Sequence, residues 1–578
     1  METHAPKAVF ISYASLDAEA ARHVGDLDAG YAGRRSGPWS NCVARREVES
    51  VLRILPMKPT KILALLYTAT IALAAHAAEF AFAEATIDDL QARMSSGTLT
   101  AHTLTAAYLA RIAEVDRAGP KLNAVIEINP DALAIADQLD AERKAGHVRG
   151  PLHGIPILIK DNIDTADRMQ TTAGSLALVG QKVPRDATVA ARLRTAGAVI
   201  LGKTNLTEWA NFRGDNSSSG WSARGGQTLN PYALDRNPSG SSSGSGTAAS
   251  ANLCVVAIGT ETNGSIMMPS SVCGLVGVKP TVGLVSRDGI IPISASQDTA
   301  GPMARTVRDA ALVLAAIAGA DKHDEATQRI PAGLAAALAT LKPDALMGAR
   351  IGVARAGFGF HSRMDAIMNG LVEKLRAAGA EVVDPVALPL LTKLGETPDV
   401  VLTCEFKSGL NRYLAEPGRV TPMKNLADLI AFNEAHRAEE MSFFGQETFT
   451  AAQARGLLTD RAYLEARATC LQLTRTEGID VAMDANRLDA LVYFTAGTAT
   501  LTDHVNGEGF AGYSATLAAV AGYPCVTVPA ASVFGLPIGL SFVGRPWSEP
   551  KLLALAAGFE ARTKARTEPK FLPTAVVP

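Results

Sequence analysis

A chain of 578 residues, 47% hydrophobic and 19% charged, has ordinary globular composition and enough length for one large domain or several. Its 55 basic and 57 acidic residues leave a net charge of -2, and no aromatic-basic interleaving is visible, so nucleic acid is not an expected partner. Cys42, Cys254, Cys273, Cys404, Cys470 and Cys525 lack C-x-x-C spacing and the histidines lack H-E-x-x-H, so no metal and no other cofactor is indicated.

The first patterned segment begins at Met57: Lys58 and Lys61, an apolar stretch from Ile62 to Ala75, then Ala75-His76-Ala77. That order of basic, apolar and small residues reads as a signal peptide over residues 57–77, which implies a periplasmic or secreted protein. The apolar stretch is short for a membrane span, so no stable membrane insertion is expected after its removal. The competing reading is a buried helix of a cytosolic domain. Residues 1–56 include "AVFISYASLDAEAARHV", which resembles the opening of a bacterial TIR-type domain that does not continue. They read as an upstream mis-start or gene-fusion fragment outside the fold.

From Thr86 to Arg117 the pattern is helical, with Thr86 and Asp89 as a capping box and Leu104, Tyr108, Leu109 and Ile112 at helical intervals. Ile155, Ile157, Leu158 and Ile159 form a short buried strand that ends at Lys160. Two helix-then-strand units follow, "ATVAARLRTAGAVILGKTN" and "MDAIMNGLVEKLRAAGAEVVD", each with glycine between helix and β-branched strand. The alternation predicts an α/β protein: a single large domain with a mixed, mostly buried β-sheet covered by helices on both faces, over residues 78–578.

Between Asn237 and Ser271 lies "NPSGSSSGSGTAASANLCVVAIGTETNGSIMMPSS". The Gly/Ser half has linker composition, but "TAASANLCVVAIGT" reads as a small-residue helix leading into a buried strand, which anchors the loop inside the fold. The Asn263-Gly264 turn then presents Ser265.

The Gly/Ser loop, Gly264-Ser265-Ile266 placed 24 residues after Ser241, and Lys160 closing "GIPILIK" resemble the amidase signature family, and within it bacterial peptide amidases. "LGKTNLTEWANFRG", "GLVGVKPTVGLVSRDGIIPIS" and "QDTAGPMARTVRDAA" extend the similarity over roughly residues 85 to 565. The resemblance implies a Ser-Ser-Lys triad: Ser265 as nucleophile, Ser241 bridging on a cis peptide after Gly240, and Lys160 as base. Ser242 and Ser243 compete for the bridging role, and family spacing selects Ser241. A lysine acts as base only when neutral, which burial away from carboxylates favours. Asp161 follows it, but successive strand residues face opposite ways. Backbone N–H groups of Thr262, Asn263, Gly264 and Ser265 would converge as an oxyanion hole.

The implied reaction is hydrolysis of a carboxamide C–N bond, with the C-terminal amide of a small or short peptide substrate as the expected target. Asp503, His504, Asn506 and Glu508, beside Phe510 and Tyr513, suit a loop that holds a peptide backbone. Departures from the family are Asn263, where relatives usually have Asp or Gly, Met267, where many have Arg, and Tyr493-Phe494, where a small residue and proline are common. Competing readings are an amidase of other small or fatty amides, an inactive amidase-fold binding protein, and a Ser-His-Asp hydrolase using "GSSSG" with His153 or His504.

Overall fold

The computed structural model describes residues 80–577 except 343, 356–360, 389–390 and 510–514. The upstream segment 1–56, the expected signal peptide 57–77, Phe510 and Tyr513 therefore lie outside the described residues.

Thr86 caps the helix Ile87–Ser95 by accepting from Asp89 N–H, and Asp89 accepts in return from Thr86 N–H. The helical text beyond it is interrupted, contrary to expectation. The first helix stops at Ser95 and a second, Ala101–Arg111, starts with Thr100 as its cap. Between them Ser96 and Thr98 both turn their hydroxyls onto Arg93 O, the local side-chain bonding that competes with helix continuation.

An eleven-stranded sheet forms the body. Its strands in chain order are β1 (Val125–Ile128), β2 (Pro156–Lys160), β3 (Val199–Thr204), then, past a separate hairpin of β4 (Trp221–Ser222) and β5 (Gly226–Gln227), β6 (Val256–Glu261) and β7 (Val276–Lys279). They continue as β8 (Thr299–Ala304), β9 (Arg350–Ala354), β10 (Glu381–Val386), β11 (Ala490–Phe494), β12 (Cys525–Val533) and β13 (Leu536–Val543). Across the sheet the order is β1-β3-β2-β6-β8-β7-β12-β13-β11-β9-β10. The pairs β3-β2, β2-β6, β11-β9 and β9-β10 are parallel, and the remaining pairs are antiparallel, so the sheet is mixed as expected.

β2, β6, β8 and β13 are buried along their whole length, which requires cover on both faces. Helices Ser243–Ser250 and Val307–Ile317 pack against β6 and β8. Ile157, Leu158 and Ile159 are fully buried, each contributing about 2 kcal/mol of hydrophobic stabilisation. A satellite core gathers Trp209, Phe406, Leu410 and Phe449. The described residues from Phe80 onward belong to one compact unit.

The register decides where chemistry can occur. β2 and β6 are parallel neighbours, with Ile159 opposite Ile258, so Lys160 at the end of one strand lies beside Thr260 and Glu261 at the end of the other. In open α/β sheets, sites form outside such carboxyl ends.

Candidate active site

Lys160 is fully buried, and its Nζ lies at hydrogen-bond distance from Ser241 Oγ at 2.8 Å, Thr260 Oγ1 at 2.9 Å and Thr260 O at 3.3 Å. No carboxylate forms an ion pair with it among the described residues. Burial lowers its pKa to about 7, outweighing the upward pull of Asp298 and Glu261. Asp161 points elsewhere, accepting from Thr172 and Gly174 and pairing with Arg224. A second strand-end lysine, Lys203, is buried too, but Ile163 O and Thr171 Oγ1 occupy its amine.

Three consecutive serines follow Gly240, and their partners distinguish them. Ser243 Oγ donates to Ser239 O at 2.6 Å; Ser242 Oγ donates to Thr260 O at 3.0 Å and accepts from Thr260 N–H at 3.2 Å. Only Ser241 turns its hydroxyl to Lys160. The Gly240–Ser241 peptide is cis, and Ser241 O accepts from Thr207 N–H at 3.1 Å. A Cβ on residue 240 would stand 2.3 Å from Thr207 Oγ1, so glycine is demanded by close packing.

After β6 the chain turns through Thr262-Asn263-Gly264, with Gly264 at φ +85°, a left-handed conformation that suits glycine. Buried Glu261 fixes this turn from below: its Oε2 accepts from Ile266 N–H at 2.7 Å and Met267 N–H at 2.9 Å. The N–H groups of Asn263, Gly264 and Ser265 have no acceptor among the described residues. Thr262 is held from the side, its hydroxyl on Asp298 and its carbonyl on Gln297.

Ser265 is 8% exposed and lines a cavity of about 260 Å³ with Gly240, Asn263, Met268, Ala496–Thr500 and Glu508. It meets the serine segment through Ser242 N–H, which donates to Ser265 O at 3.1 Å. Its hydroxyl makes no hydrogen bond among the described residues, Ser241 Oγ included. A second cavity of about 700 Å³ touches the turn at Thr260, Glu261 and Thr262. The two cavities share no lining residue, but both reach the turn, the larger at Thr262 and the smaller at Asn263.

The predicted substrate loop is only partly as expected. Glu508 lines the smaller cavity, but Asp503 is spent on Val505 N–H, Asn506 N–H and Asn506 Nδ2, within an exposed turn. His504 stacks on Phe443 at 4.0 Å, outside the cavity wall. His153 is buried and contacts Leu139 O and Arg149 N–H. Neither histidine bonds a serine of "GSSSG", and Ser242 at its centre is locked to Thr260, which removes the Ser-His-Asp reading.

Sequence reasoning missed Thr260, Asn162, which donates to Thr260 Oγ1 at 3.0 Å, and the clamp made by Glu261. A lone carboxylate immediately before a glycine turn was the available signal for the last. Of the departures, Met267 is buried apolar side chain, Asn263 accepts from Thr516 Oγ1, and Tyr493 and Phe494 sit buried in β11. Among the described residues, no group of three or more His, Cys, Asp or Glu is placed to hold a metal ion, and no helix is long and apolar enough to cross a membrane. The five described cysteines are free.

A large mixed α/β sheet with a buried lysine and serine gathered at the ends of two parallel strands defines an amidase-type hydrolase. The amidase family model matches residues 103–553, and the chain belongs to that family. A probable amidase of Arabidopsis thaliana is 42% identical over 507 residues, covering 85% of this chain and 93% of its own. The native peptide amidase of Stenotrophomonas maltophilia superimposes with a TM-score of 0.81 at 53% identity, covering 85% of this chain and 99% of its own. A peptide amidase in complex with the competitive inhibitor chymostatin gives 0.82 at 54% identity, covering 85% and 100%. The protein is thus an enzyme that hydrolyses amide C–N bonds.

Proposed function

We propose that this amidase releases ammonia from the C-terminal carboxamide of short peptides through an acyl-enzyme on Ser265, with Ser241 as proton bridge and Lys160 as base. The observation that carries the reading is the Lys160 amine, buried without a carboxylate partner and 2.8 Å from Ser241 Oγ. A neutral amine has two hydrogens, which Thr260 Oγ1 and Thr260 O accept, and its lone pair is left for the Ser241 hydroxyl.

Attack of Ser265 Oγ on the carboxamide carbon passes the Ser265 proton to Ser241 Oγ as Ser241 gives its own to Lys160. The carbonyl oxygen becomes an oxyanion at the N–H groups of Thr262, Asn263 and Gly264, with that of Ser265 beside them, each donor worth about 3 kcal/mol. Collapse breaks the C–N bond, and the proton returns through Ser241 to the leaving nitrogen, which departs as ammonia. Water then repeats the sequence on the ester and restores Ser265.

Two features support a peptide over a fatty amide. The larger cavity, which meets the turn, mixes charged residues such as Arg287, Asp324 and Arg412 with apolar ones such as Ile290, Ile293 and Leu458, a lining that suits a peptide's alternating polar backbone and side chains. The solved relatives with the peptide amidase name match nearly their whole length. The test is mass spectrometry of a short peptide amide after incubation with residues 78–578. Conversion to the free acid supports the reading, and internal fragments or preference for a long-chain amide would overturn it.

We further propose that residues 78–578 are the mature catalytic domain and that the segment 57–77 directs export, leaving 1–56 outside the fold. N-terminal sequencing of protein recovered from the periplasm or medium tests this. A first residue at Ala78 supports it, and intact protein retained in the cytoplasm refutes it.

A further inference from the structure

Glu508 shares the 260 Å³ cavity with Ser265 and is the one charged side chain lining it among the described residues. The rest of the wall is hydroxyl, amide and apolar: Ser219, Ser239, Asn211, Asn263, Met268 and Val272 among them. Ser219 Oγ donates to Glu508 Oε2 and so fixes the carboxyl within the wall. A carboxyl group has about four acceptor positions, so Ser219 does not exhaust it. Burial raises its pKa, as it would for an acid facing a confined space.

We propose that Glu508 accepts a hydrogen bond from the N–H of the scissile carboxamide and thereby selects unsubstituted amides over esters of the same acid. This inference rests on Ser265 being the nucleophile. A primary amide carries two N–H donors on its leaving nitrogen, whereas an ester oxygen carries none. A buried acceptor left without its donor destabilises binding of the ester, which is how a polar site rejects an isosteric competitor. No lysine, arginine or histidine lines this cavity among the described residues, so no cation there holds the carboxylate product.

The experiment compares a peptide amide with the methyl ester of the same peptide on wild type, Glu508→Met and Glu508→Gln. Met keeps the length and removes the acceptors; Gln restores one acceptor. The amide-to-ester ratio of kcat/KM should fall about tenfold in Glu508→Met and recover in part in Glu508→Gln. Ser219→Ala, which frees the carboxyl to rotate, should lower the same ratio and serves if the Met variant does not fold. Fluorophosphonate labelling in each protein separates the two levels. With Ser265 labelled, an unchanged ratio or equal losses on both substrates overturn the role of Glu508 alone. Wild type labelled elsewhere than Ser265 overturns the nucleophile and this inference with it.

Discussion

Lys160 Nζ and Ser241 Oγ stand 2.8 Å apart, and neither side chain is exposed to solvent. In water a primary amine is protonated and attracts a hydroxyl oxygen. Here the missing solvent shell and, among the described residues, the absence of a bonded carboxylate favour the uncharged amine, which attracts the hydroxyl proton. In the proposed mechanism Ser241 then donates to the lysine and is left to accept from Ser265.

Replacing the lysine separates chemistry from architecture. Lys160→Met should lower peptide-amide hydrolysis about 10²–10⁴-fold, the usual worth of a general base, with the fold retained because methionine fills a similar volume. Steady-state kinetics with circular dichroism check this; a folded Met variant with near wild-type activity would remove Lys160 from the mechanism.

The pH profile should carry the same signature. Free enzyme needs the neutral amine, so kcat/KM should rise with pH and level off above about 7. Linkage gives stability the same sign. The folded pKa lies below the ordinary 10.5, so the unfolded chain binds more protons between about 7 and 10.5, and Lys160 contributes stability that grows as pH climbs through that window. Urea midpoints at the two ends, compared between wild type and Lys160→Met, should show a steeper rise in wild type. A rate falling steadily from the acid side would contradict the assignment.

A fluorophosphonate should form a single covalent adduct, and peptide mapping should place it on Ser265, which lines the cavity in the turn whose N–H groups have no acceptor among the described residues. Ser241→Ala should retain some labelling at a much reduced rate. An adduct on Ser241 would exchange the two roles.

Gly240→Ala tests packing beside the bridge. The added methyl would meet Thr207 Oγ1 at 2.3 Å, and that oxygen is itself fixed by Gly220 N–H at 2.9 Å, so the neighbour does not yield freely. A loss of about 1–3 kcal/mol in stability is expected, measured by urea unfolding, together with a fall in kcat. A variant as stable and active as wild type would show that the loop relaxes.

Much of this was readable from residue order. The strand ending at Lys160, the two helix-glycine-strand units and the turn before Ser265 are local patterns, and local patterns survive folding. Three things were not local. Thr260 becomes a partner of Lys160 only because β2 and β6 pair in one register. The choice among Ser241, Ser242 and Ser243 depends on which carbonyls and amines lie within reach after the loop closes. β8, with proline at its centre, does not read as an interior strand, yet Pro302 lies opposite Ile258 between β6 and β7. The loop 501–509 misled for the opposite reason: its polar residues satisfy each other, and one of four turns inward.

The residues proposed to break the bond fall between Lys160 and Ser265, whereas part of the cavity lining, Ala496–Thr500 with Glu508 and Gly509, is contributed more than 200 positions later. On the proposed mechanism, bond breaking draws on the earlier passage of the gene alone, and the space around the substrate draws on both. Substitutions in the later passage can reshape the cavity without touching Lys160, Ser241 or Ser265.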